Sequence, residues 1–169
     1  MKLMTFPFLA LLTIALACNK GDDPGNTPNN PASLKLEGKW ILVKTDISLK
    51  FDDGSVQNVS LPGSGNDYTE LKFVKKDGSE ENGTIKNVYM GDESNGTWVY
   101  TDGDKSLDIT YTSLTPHYFL FRRVQTADEK SLVLTADDEK VLQQYTLNGL
   151  NDFGSKKLTG GSIREEWKK

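Results

Sequence analysis

Between residues 105 and 112 apolar and polar side chains alternate: Leu107, Ile109 and Tyr111 fall on one side, Ser106, Asp108, Thr110 and Thr112 on the other. A strand points successive side chains to opposite faces, so this run reads as a half-buried strand. The same period of two joins Trp40 to Leu42, Leu71 to Phe73, Trp98 to Tyr100 and Leu132 to Leu134. Pairs that tolerate positive φ punctuate these runs: Asp53-Gly54, Asp77-Gly78, Asn82-Gly83, Asn95-Gly96, Asp102-Gly103 and Asn148-Gly149. Several of them are expected to close hairpins. Strands are expected at 39–48, 55–61, 68–75, 83–90, 96–101, 105–112, 117–125, 130–136, 140–147 and 161–167.

No stretch carries a sustained helical stripe. One helical turn is expected at Ala32–Glu37, leading into the first strand. Asp137, Asp138 and Glu139 would suit a helix N-terminus. Against a helix there, Val141, Tyr145 and Leu147 alternate, interrupted at Gln143, and end at Asn148-Gly149, so a strand is the preferred reading of 140–147. One polar and one apolar face per strand is the pattern of an antiparallel sheet over a single core. Short, sequentially adjacent strands of this kind form either a β-sandwich or an up-and-down barrel, and closure into a barrel removes the edges.

The chain has one cysteine, Cys18. An exported domain held by disulfides would carry an even set, so this core must hold by packing and hydrogen bonds. Ahead of Cys18, Lys2 supplies a positive start and Leu3 to Leu16 is almost wholly apolar. That run has the length of a signal peptide core and is too short for a membrane span of about 20 residues. Ala15-Leu16-Ala17-Cys18 resembles a relaxed lipobox of the kind found in Bacteroidetes lipoproteins. The resemblance implies removal of residues 1–17, a diacylglyceryl group on the Cys18 thiol and an acyl chain such as palmitate on the new amino group. Residues 19–31 hold three prolines, two glycines and no apolar side chain, so 18–33 is expected to be a disordered tether. Lys20, Asp22 and Asp23 resemble the surface-export signal of the same group. The expected location is therefore the outer membrane, lipid-anchored, on the cell surface or alternatively on the periplasmic face.

Leu36-Glu37-Gly38-Lys39-Trp40 resembles the opening of lipocalin-like domains, and Gly96-Thr97-Trp98, Tyr118-Phe119-Leu120 and Ser131-Leu132-Val133-Leu134 look similar to later parts of such domains in Bacteroidetes lipoproteins. The resemblance implies an all-β, antiparallel up-and-down barrel of about 8–10 strands over residues 34–169, with the β-sandwich as the alternative. It also implies that Gly38 and Trp40 close one end, with an arginine over the tryptophan. Arg164 is the positional candidate, and Arg122 and Arg123 are rivals. Trp40 would also suit the core of any β-domain.

Catalytic chemistry finds little support. The single histidine, His117, follows Pro116, and no nucleophile elbow accompanies it. No cysteine is left in the body for a zinc site. Most carboxylates sit at expected turns; Asp102 and Asp104 could offer oxygens to calcium but lack the rest of a calcium loop. Asn-x-Ser/Thr sequons at Asn58, Asn82 and Asn95 carry no weight in a bacterial lipoprotein. No catalytic residue, metal or cofactor is therefore expected. The formal charge of −4 gives no electrostatic case for nucleic acid. Trp98, Tyr100, Tyr111, Tyr118 and Tyr145 are candidates to line a cavity, against the plainer reading of core and girdle. The expected function is a monomeric, non-enzymatic envelope protein binding a small apolar or amphipathic ligand. The alternative is a surface interaction module for a glycan or protein, accessory to nutrient uptake or inhibiting a protease, which the loop Leu61–Asp67 and the tail after Asn148 motivate.

Overall fold

The computed structural model describes residues 33–169. The leader expected over 1–17, the lipidation of Cys18 and the tether up to residue 32 lie outside the described residues. In chain order the elements are α1 (Ser33–Leu36), β1 (Gly38–Phe51), β2 (Val56–Pro62), β3 (Tyr68–Asp77), β4 (Glu80–Tyr89), β5 (Asp92–Thr101), β6 (Ser106–Tyr111), β7 (Tyr118–Ala127), β8 (Ser131–Ala136), α2 (Asp138–Leu147), β9 (Asp152–Phe153) and β10 (Lys156–Lys168).

The fold is all-β apart from the helices: one ten-stranded antiparallel meander in the order β2-β1-β3-β4-β5-β6-β7-β8-β10-β9. β1 also pairs antiparallel with β10, from Ile41↔Lys168 to Phe51↔Leu158, so the strands ring round into a near-closed circuit. The other edge of β1 is shared. Gly38–Ile41 pair with β3, and Lys44–Lys50 pair with β2. Between them Leu42 N–H donates to Asp67 O and Gly63 N–H to Val43 O, both at 2.9 Å, so this edge stays bonded across the division.

Hairpins close at Asp53-Gly54, Asp77-Gly78 and Asp102-Gly103, as their sequence suggests. Two other expected turns are strand interiors. Asn82-Gly83 pairs with Val99 and Trp98, and Asn95-Gly96 lies inside β5. Gly83 is there for space: a Cβ would come within 2.6 Å of the Trp98 indole. The turn between β4 and β5 falls instead at Met90-Gly91, where Met90 has φ 53°.

Residues 140–147 are helical, which corrects the strand reading. Val141 and Tyr145 are four apart, a spacing that satisfies a period of two and a helical turn alike. The N-terminus decides. Asp137 caps α2 by accepting the Lys140 N–H at 3.2 Å, with Asp138 and Glu139 in the first turn. α2 packs against β7 and β10, the two strands that flank the short β8. β7 pairs with β8 only over Arg123–Ala127, so its first half has no strand on that side. There the Asn148 amide serves as a substitute strand, its Oδ1 accepting from Phe119 N–H at 2.8 Å and its Nδ2 donating to Phe119 O at 2.7 Å. On the other flank Asp138 Oδ1 accepts from Gly161 N–H at 2.6 Å.

Two packed clusters result. Leu36, Trp40, Leu71, Trp98, Leu107 and Leu132 belong to the larger one, inside the ring. The smaller joins Val141 of α2 to Leu49, Phe51, Leu158 and Ile163 on the long outer parts of β1 and β10.

Candidate functional site

The ring is filled at one end and hollow towards the other. α1 brings Leu36 beneath Trp40, whose indole N–H donates to Leu36 O at 2.7 Å. Trp40 is fully buried, and Lys169 Nζ lies over its ring at 4.5 Å. Gly38 holds φ 132°, where side chains are disfavoured, and a Cβ would press on the Lys169 stem at 3.1 Å. The cation over the tryptophan is thus Lys169. Arg164 is placed elsewhere, bonded to Glu166 at 2.9 Å and Gln125. Arg123 pairs with Asp137.

Beyond Trp40 lies a cavity of about 550 Å³. This is within the usual size range of small-molecule sites. Leu71, Leu107, Ile109, Leu132 and Leu134 give it an apolar wall, and half-exposed Leu61, Tyr89 and Leu114 stand at its rim. Of the candidate aromatics, Tyr111, Tyr118 and Tyr145 line it, whereas Trp98 and Tyr100 are packed in the solid part. The Trp98 indole N–H is spent on Thr84 O at 3.1 Å.

Polar side chains interrupt the apolar wall at Thr69, Asn87, Asp92 and Ser94 and, most deeply buried, around Arg122. Tyr118, Leu120, Arg122 and Val124 share the inner face of β7, which puts Arg122 inside at 3% exposure. Its Nη2 donates to Glu165 Oε1 at 2.7 Å, and its Nη1 to Phe121 O at 3.0 Å and to the Gln144 side-chain oxygen. Burial opposes the guanidinium charge, but the adjacent Glu165 carboxylate outweighs it and raises the Arg122 pKa. Burial first, then the Glu165 charge, pushes the Tyr111 phenol well above its ordinary range; burial likewise raises Tyr145. Two buried donors of these lining residues have no partner among the described residues: Arg122 Nε and Trp167 Nε1.

Sequence reasoning offered Arg122 only as a rival for the place over Trp40; the signal it missed was a charge between Leu120 and Val124 in an alternating strand. Glu165, Gln144 and Trp167 had no comparable signal, since they come from β10 and α2 and reach this wall only through the ring. The other candidates have plain structural surroundings. Asp104 accepts from Ser106 N–H at 2.9 Å, within a turn, and His117 is exposed just ahead of β7. In the loop after β2, Asp67 accepts from Met90 N–H at 2.8 Å and Ser64 N–H at 3.2 Å, and these bonds, that from Met90 foremost, lower its pKa. Among the described residues no group of three His, Cys, Asp or Glu is placed to hold a metal, and no helix is long and apolar enough to cross a membrane. Comparison with family models, with curated proteins and with solved structures gave no match.

Proposed function

We propose that this chain is an envelope lipoprotein whose lipocalin-like barrel holds a small apolar or amphipathic ligand without chemically altering it. The observation that carries this reading is the cavity of about 550 Å³ inside the ring, with an apolar wall interrupted by the Arg122 cluster and by Thr69, Asn87, Asp92 and Ser94. A void of that size lined by leucines, with exposed apolar residues at its rim, is suited to an apolar body with a few oriented polar contacts. The β1–β10 pairing and the Gly38/Trp40 closure support the barrel reading over the sandwich. In this reading acyl chains on Cys18 moor a monomer to the outer membrane, with the cell surface preferred to the periplasmic face, and no metal or cofactor takes part. Two or more acyl chains suffice for stable anchoring.

Titration with the apolar fluorophore N-phenyl-1-naphthylamine tests the cavity. Saturable enhancement is expected, and none with folded protein would end the proposal. Mass spectrometry of the native product tests the anchor, with an intact leader as the refuting result.

One observation favours a second reading, a surface that docks a protein or glycan. β2 is bonded to β1 alone, and Val56, Val59 and Leu61 are exposed on it. Such an edge can accept an added strand from a partner. Unchanged self-association and partner binding after Val59→Lys would count against it.

A further inference from the structure

Resting on the cavity reading, we infer that the ligand is neutral: an apolar chain or ring bearing an uncharged carbonyl acceptor, as in an ester or amide, and neither a free carboxylate nor an amine. The argument begins with donors. Arg122 presents five N–H groups in a fixed fork, and Gln144, Phe121 and Glu165 engage its two terminal nitrogens. Its Nε is buried with nothing to donate to. Trp167 Nε1, which can only donate, is buried without a partner as well. Buried donors of this kind are seldom left over in native proteins, and here both belong to cavity-lining residues. Glu165 and Trp167 are two apart on one face of β10, roughly 7 Å along the strand, so the second donor stands a single step from the Arg122–Glu165 pair. The nearby phenols of Tyr111 and Tyr145 stay protonated, since burial disfavours their anions, and so can donate as well. Beside the Arg122–Glu165 pair the wall therefore holds two spare donors.

Charge then selects among acceptors. The guanidinium is already matched by Glu165 at 2.7 Å, so the pair is neutral as a unit. A carboxylate ligand would bring a second anion beside Glu165, and an ammonium would face Arg122. Either charge would also leave water for a wall in which apolar and aromatic side chains predominate. A carbonyl oxygen satisfies the spare donors with neither penalty.

The test is displacement of N-phenyl-1-naphthylamine from the full chain by four matched compounds below their micelle thresholds: N-methyldodecanamide, dodecanoate, dodecylammonium and dodecane. The amide is expected to displace at a concentration about five- to tenfold lower than each of the others, the worth of one or two hydrogen bonds. Trp167→Phe keeps the ring and removes its donor, so it should narrow the margin over dodecane while leaving fluorophore affinity intact. Equal displacement by all four, or dodecanoate acting best, overturns the inference even if the variant does not fold. An unchanged margin in folded Trp167→Phe overturns the part assigned to Trp167. Failure of the fluorophore to enter the wild-type chain would instead bring down the cavity reading itself.

Discussion

Replacing Glu165 by glutamine tests whether the Arg122 pair is held as a unit inside the ring. The substitution keeps shape and leaves an oxygen where Arg122 Nη2 donates at 2.7 Å, but it removes the negative charge. Arg122 is 3% exposed, so its own charge then remains in the wall without compensation. Breaking a buried pair from one side typically costs about 3–5 kcal/mol. Two features reduce that here: Glu165 is 12% exposed, and the glutamine oxygen retains a hydrogen bond worth about 1 kcal/mol. We therefore expect Glu165→Gln to destabilise by about 2–3 kcal/mol. Urea unfolding followed by tryptophan fluorescence would show this as a midpoint lowered by roughly 1–2 M at unchanged slope, for a slope near 1.5 kcal/mol per M. The double variant Arg122→Met/Glu165→Leu removes both charges and should recover most of the loss. A loss below about 0.5 kcal/mol in the single variant, within the range of ordinary surface changes, would refute the reasoning. So would a double variant as unstable as the single one, because the penalty would then come from shape and not from charge.

Three further outcomes follow from local geometry. Gly83→Ala should destabilise by at least about 1–3 kcal/mol, because the new Cβ meets the Trp98 indole at 2.6 Å in a packed core; an unchanged melting temperature would contradict that contact. Asn148→Ala should cost about 1–3 kcal/mol and speed hydrogen exchange at the Phe119 amide, since both bonds to the unpaired edge of β7 are lost; exchange at the wild-type rate would show the edge protected by other means. The Asp67 carboxylate titrates below its unfolded value in the folded chain, so it contributes stability above about pH 4 that disappears as pH falls through the lowered value. Acid unfolding of Asp67→Asn should accordingly have a shallower low-pH limb than wild type, and a superimposable limb would exclude this contribution.

The alternation from Leu107 to Tyr111 was enough to place β6 and its inner face, because a half-buried strand writes its period directly into the side chains. The meander followed from such runs and their turns. Where the sequence misled, the same residues served two geometries. Val141 and Tyr145 fit a strand face and a helix face equally, and the acidic cap at Asp137 was the better guide. Asn82-Gly83 looks like a turn but is a gap in the sheet surface filled by Trp98, while the actual turn rests on Met90, a residue without turn character. The polar cluster was half legible. Arg122 was named only as a rival for the place over Trp40, and its partner Glu165 lies forty-three residues away and meets it only through the ring. Lys169 over Trp40 was hidden for the same reason, and Arg164 had the sequence position without the spatial one.

α2 gives the circuit of strands a section of a different kind. The backbone of a strand inside the sheet is bonded to a neighbour on each side, so shifting it tears two ladders. A helix keeps its backbone bonds to itself. α2 is fastened to β7 and β10 by side chains, chiefly Asn148 to Phe119, Gln144 to Arg122 and Asp138 to Gly161. Tilting it outward would release those clasps and the apolar seat of Val141 while leaving the strand ladders whole. α2 is therefore the one panel of the wall that can shift while the sheet stays bonded.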